Sequence, residues 1–137
     1  MEESREIIKS EFKYYLSHIA RSSRRTSEGF NLGKTAVDSF LAFIEPKKLF
    51  DYNPEKWNYI ESMYDITDCN EVKRIADELL NDEAFIKNDN EKNQGWRSGS
   101  LMHYVCFINA RSFFTRKVNE DKEIVFSGKL QQIYYGA

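Results

Sequence analysis

Apolar positions recur along this chain at three- and four-residue spacing in long blocks, separated by polar stretches. In the first block Ile7, Ile8, Phe12, Tyr15, Leu16 and Ile19 fall on one helical face, which predicts a helix from about Ser4 to Ala20. The run RSSRRTSEGFNLG that follows is polar, rich in Arg and Ser, and reads as a loop. Val37, Phe40, Leu41 and Ile44 then face inward from a second helix of about Gly33 to Glu45. Pro46 stops it, because the residue before a proline is pushed out of the helical region.

In DYNPEKWNYIESMYD, Asn53 suits an N-cap and Pro54 the first helical position, where its missing N–H costs nothing. A short helix carrying Trp57 and Ile60 is therefore expected. Asp68 with Glu71 three residues later is the reciprocal capping pattern, and Val72, Ile75, Ala76, Leu79 and Leu80 mark a helix to about Asn81. A short helical turn is expected around Glu83 to Lys87, and KNDNEKNQG reads as an exposed loop. The last helix, about Ser98 to Lys117, is the longest. Leu101, Tyr104, Val105 and Ile108 share its face, with Met102, Phe113 and Phe114 widening it, so it belongs at the centre of the bundle. Beyond it VNEDKE reads as a charged linker, and IVF, SGK and LQQIYY as two extended segments around a turn. The expected fold is all-α: a small bundle of four main helices plus short ones over residues 1–118. An extended, hairpin-like remnant over residues 119–137 follows it. A hairpin alone in water is marginal, so this remnant reads as the edge of a further domain.

Composition narrows the picture. The length of 137 residues suits one domain and a short remainder. A hydrophobic share of 41% supports a core rather than disorder, and 6 Gly with 2 Pro are too few for a many-turned sandwich or barrel. Cys69 and Cys106 share no CxxC spacing and read as free thiols in helices, not as a disulfide or metal site. No stretch approaches the roughly 18 apolar residues of a membrane span. The start MEESREIIKS lacks the basic opening and apolar run of a signal peptide, so the chain is expected in the cytoplasm, with no membrane partner.

The net charge of −2 argues against a uniformly basic module, but charge is unevenly placed. Residues 5–34 carry 7 Lys/Arg against 3 Asp/Glu, residues 94–117 carry 4 and no acid, and residues 45–93 carry 7 against 13. In the first basic stretch Arg21, Arg24, Arg25 and Lys34 suit phosphates, with Ser22, Ser23, Thr26 and Thr35 adding neutral hydrogen bonds. Arg97, Ser98, Arg111, Arg116 and Lys117 would extend the strip, and helix N-termini near Gly33 and Ser98 would add backbone donors. The bland alternatives are a solvated basic face, or one that docks the acidic middle of another copy. Trp96 in QGWRS is expected to staple the helix entrance to the core, leaving Arg97 and Ser98 as exposed contacts. No catalytic set emerges: His18 and His103 lack partners at ligand spacing, and Asp77, Glu78, Asp82 and Glu83 fall on solvated helix ends. No metal and no cofactor is expected.

The closing LQQIYYGA resembles the strand and first turn of the phosphate-binding loop in restriction-associated AAA+ NTPases of the McrB type. In that family such a strand runs into G-x-x-x-x-G-K-[ST], whose backbone N–H groups cradle nucleotide phosphates. The resemblance implies that Gly136 is the first glycine of that loop; its second glycine, Lys and Ser/Thr are not in the sequence. It further implies a DNA-recognition domain placed before an absent motor, without nucleotide hydrolysis of its own. A nuclease subunit would be a possible partner, and oligomers would form only with the motor present. The helical part, from EFKYYL to NARSFF, also resembles the SAM-like core-binding domain of tyrosine recombinases, a bundle that clamps duplex DNA. That layout implies that the first loop and the last helix come together in space. The loop is longer here than in that family, and Phe40 stands in the region where a Tyr is usual. A reading of another class is a protein-interaction module, in which the acidic segment Asp65 to Asp89 docks a nuclease or a neighbouring subunit.

Overall fold

The computed structural model describes the backbone of residues 5–26, 29–93 and 95–121, and the side chains of residues 5–21, 31–92 and 95–112. Over that range the chain is an all-α bundle with one small hairpin appended. Helix α1 (Arg5–His18) leads into a two-stranded antiparallel hairpin, β1 (Arg21–Thr26) and β2 (Gly29–Asn31). Then come α2 (Lys34–Phe43), the single turn α3 (Pro46–Leu49) and a 3-10 turn (Met63–Asp65). Helices α4 (Cys69–Leu80), α5 (Glu83–Asn93) and α6 (Trp96–Asp121) complete it.

The spine is α6. At 26 residues it extends for about 39 Å, and α1, α2, α4 and α5 all pack against it. Helix α1 runs antiparallel to it: Tyr15 meets His103, Phe12 meets Tyr104 and Phe107, and Glu11 meets Arg111. Phe12 and Tyr104 form the centre of the core, edge to face at 5.2 Å, and neither has exposed surface. Burying each such ring stabilises the fold by about 1.5–3 kcal/mol. Helix α2 packs tightly on α6 at Gly99, where an added Cβ would stand 2.9 Å from the Phe40 ring. Ser100 is fully buried beside it and donates its hydroxyl to the Phe40 carbonyl at 3.0 Å.

The periodic blocks fold as their spacing dictates. The buried positions of α1, α2 and α4 all lie on the predicted apolar faces: Ile8, Phe12, Tyr15 and Leu16; Val37; and Val72, Ile75, Ala76 and Leu79. Ile7, expected on the α1 face, and Met102, expected on that of α6, are exposed instead. Asp68 caps α4 by accepting the Glu71 N–H at 3.0 Å. The reciprocal half of that motif is not formed, because the Glu71 carboxylate takes two bonds from Arg74 instead.

Four expectations need correction. The Arg/Ser run is not a loop; it is the hairpin, with Arg21 opposite Asn31, Thr26 opposite Gly29 and an irregular register between. It lacks apolar alternation, which is why the pattern gave no strand. Residues 54–59 form turns and not a helix. Trp57 is drawn into the core, stacked on Phe50 at 4.9 Å with its indole N–H donating to the Tyr52 hydroxyl at 2.9 Å, and that anchoring overrides the local cap signal. The segment taken as an exposed loop after Lys87 is the second half of α5, started by Asp82 accepting the Ala84 N–H and held by buried Phe85 and Asp89, one turn apart. Residues 118–121, taken as linker, continue α6, since nothing there breaks a helix. The extended segments expected over residues 124–137 lie outside the described residues.

Candidate nucleic-acid interface

The hairpin springs from the C-terminal end of α1 and returns to the N-terminal end of α2. Arg21, Arg24, Arg25 and Thr26 all belong to β1, and Arg21 is exposed at its start. At the hairpin's foot α1 and α2 border a groove of about 290 Å³ lined by Lys13, Ser17, Leu32, Lys34, Val37 and Asp38. Lys34 and Thr35 are exposed on the first turn of α2. Sequence reasoning missed Lys13, since only its α1 face, not its local charge context, brings it to this groove.

Arg97, Ser98 and Arg111 are used elsewhere, and the side chains of Arg116 and Lys117 lie outside the described residues. Arg97 is corrected from a surface cation to a buried one, 3% exposed. Its guanidinium donates to Asn88 and, at 3.3 Å, to the Asp51 carboxylate. Trp96 does dock, as its position suggested, stacking on Phe43 and tilting against Phe40. Docking that entrance carries Arg97 inward with it. Ser98 is half-buried and spends both its N–H, at 3.1 Å, and its hydroxyl, at 2.8 Å, on Asp89. Asp89, 1% exposed, also accepts the Arg97 N–H at 3.0 Å, so the α6 N-terminus is capped by a carboxylate from α5 and is not open to an outside anion. Gly95, at φ +83°, makes the left-handed turn that lets α5 fold back to do this.

Arg111 is likewise engaged, its Nε donating to Glu11 at 2.7 Å where both side chains are largely buried. Its helix continues through Arg116 and Lys117 alongside the N-terminal half of α1, whereas the hairpin leaves the opposite end of α1. The two basic stretches therefore join the bundle toward opposite ends of α1. About 1.5 Å of rise per residue separates Glu11 from the end of α1 by some 10 Å, and Arg116 lies farther still.

Among the described residues no group of three or more His, Cys, Asp or Glu side chains is arranged to hold a metal ion, and Cys69 and Cys106 are free thiols. His103 lies between the rings of Phe40 and Tyr15, and burial holds its imidazole below its usual pKa. No helix among the described residues is long and apolar enough to cross a membrane. Compared with family models, curated proteins and solved structures, the chain matches none.

Proposed function

We propose that this chain is a DNA-recognition domain that grips the backbone of duplex DNA through its β1–β2 arm and the adjoining ends of α1 and α2. The observation that carries the reading is the paired hairpin itself. Three arginines within five residues belong to one short strand, and its hairpin leads into the groove that the exposed Lys13 and Lys34 line. A basic strand already paired in a hairpin loses less conformational entropy on binding than a loop that must first be ordered. Arg97, Ser98 and Arg111 are structural in this reading, and the chain acts by binding without chemistry of its own. Its resemblance to McrB-type NTPases supplies the wider role, recognition for a restriction motor and its nuclease. The residues that carry that resemblance, Leu130 to Ala137, lie outside the described residues.

The acidic middle favours this reading over a docking module. Asp65 is paired with Arg5, Glu71 with Arg74, and Glu78 with both Arg74 and Lys56, so three of its carboxylates already have a cation of this chain beside them. The test is a titration of the whole chain against duplex and single-stranded DNA at low and moderate salt. Binding is expected to favour the duplex and to fall with log[salt] at a slope of about −0.9 per phosphate contacted. An Arg24→Ala/Arg25→Ala variant is expected to weaken it on every sequence tested. Salt-insensitive or undetectable binding at micromolar protein would sink the proposal.

A further inference from the structure

We infer that the groove at the hairpin's foot is a seat for one phosphodiester of the DNA backbone, with Lys13 and Lys34 as its cations; this rests on the DNA-binding reading above. The two lysines come from different helices, α1 and α2, and line the same groove with the hydroxyl of Ser17, one turn along α1 from Lys13. Leu32 and Val37 supply apolar lining, Val37 being 4% exposed, while the two ammonium groups reach the groove from its exposed rim. Helix α2 adds its positive end. Its N-cap, Gly33, offers no side-chain oxygen to the first turn, and that turn carries no acid.

Asp38 is the one carboxylate among the lining residues, and Lys34 Nζ lies 3.3 Å from its Oδ2. That pair is exposed and therefore weak, so an arriving phosphate can draw the ammonium away from it. Two lysines against one carboxylate leave a single net positive charge, which matches a singly charged diester better than a doubly charged free phosphate. Position points the same way: Leu32 directly follows β2, so the seat adjoins the arginine arm and would take one phosphate of a strand that the arm also holds.

Amide chemical shifts of the full chain, followed by NMR during titration with a short duplex and separately with inorganic phosphate, test this together with the salt dependence of binding. With the duplex, the amides of Ser17 and Lys34 to Val37 are expected to shift saturably; with inorganic phosphate the same amides shift but saturate at far higher concentration. A Lys13→Ala/Lys34→Ala variant should lower the magnitude of the salt slope by about 0.9, one phosphate contact. The Lys13→Arg/Lys34→Arg variant should restore it, and Asp38→Asn should tighten binding. Both lysines are exposed, so urea midpoints are expected to stay unchanged, which excludes misfolding as the cause. If duplex binding persists with an unaltered slope in the double-alanine variant, the seat is wrong and the recognition reading stands. If the duplex does not bind while inorganic phosphate still shifts these amides saturably, the seat stands as an anion site and the recognition reading falls. Shifts spread without saturation over all lysines, in both titrations, overturn the seat.

Discussion

Asp89 shows how much one side chain decides in this fold. It accepts three bonds, two from backbone N–H groups at the start of α6 and one from the Ser98 hydroxyl, in a place closed to water. Replacing it with Ala leaves the Arg97 and Ser98 N–H groups without that acceptor, while the Ser98 hydroxyl keeps the Gly95 carbonyl at 3.0 Å. Each orphaned donor costs on the order of 1–3 kcal/mol, partly relieved by relaxation, so Asp89→Ala is expected to lose about 2–4 kcal/mol in urea unfolding. Asp89→Asn, which keeps one acceptor oxygen, should lose less than half of that. His103 makes a second, pH-dependent case. Burial between aromatic rings lowers its pKa in the folded chain, so as pH falls the unfolded chain takes up the proton first. Its contribution is complete above the unfolded imidazole value of about 6.5 and is lost as pH descends from there toward the folded value. The stability of the native chain should therefore fall more steeply between about pH 7 and 5 than that of His103→Gln. Parallel curves for the two proteins would show that the ring is as free to protonate folded as unfolded.

Two tyrosines on neighbouring elements separate satisfied burial from unsatisfied burial. Tyr104 on α6 shares its hydroxyl proton between the Met63 carbonyl at 2.9 Å and the Ile66 carbonyl at 3.0 Å, tying the 3-10 turn to the spine. Tyr64, inside that turn, buries its hydroxyl without a hydrogen-bond partner among the described residues. Burial raises the pKa of both, so both stay protonated across the working range. Tyr104→Phe is expected to destabilise by about 1–2 kcal/mol, and Tyr64→Phe to be neutral or stabilising by up to about 1 kcal/mol. Thermal melts of the two variants check this, and a loss at Tyr64 equal to that at Tyr104 would refute the distinction. Neither hydroxyl was visible in the pattern of residues, although the helices that hold them were. Spacing alone identified α1, α2 and α4, because each needs only one apolar face and a stop or cap within a few residues. What escaped depended on distant partners. Residues 54–59 carry a sound N-terminal signal, yet Trp57 finds Phe50 and Tyr52 and the helix never forms. The polar second half of α5 is helical because Asp89 is required at the entrance of α6. The same requirement hid the fate of the candidate site. Arg97 and Ser98 carry the composition of a phosphate contact, and only the folded chain shows both consumed by α3–α5 neighbours, whereas Lys13 reached the groove without any local cue.

The bundle has one core, and α6 is what makes it one. Phe107 stands where α1 and α6 meet, fully buried and in ring contact with Phe12, Tyr15 and Tyr104, while α2, α4 and α5 lean on other faces of the same helix. No described helix has a second core to fall back on, since the buried residues form a single cluster. Unfolding should therefore be all-or-none, as in most single domains of this size. The two tryptophans sit well placed to test it: Trp57 lies in the turns after α3, stacked on Phe50, and Trp96 opens α6 against Phe40 and Phe43. Their combined fluorescence and the far-ultraviolet helical signal should give the same urea midpoint. Phe107→Ala removes about 3–5 kcal/mol by the usual cost of emptying an aromatic core site. Because it acts on the shared core, it should shift both midpoints by the same amount and leave them coincident. A fluorescence transition that moves away from the helical one in that variant would mean that the Trp57 turns, or the α2–α6 entrance, unfold independently of the spine.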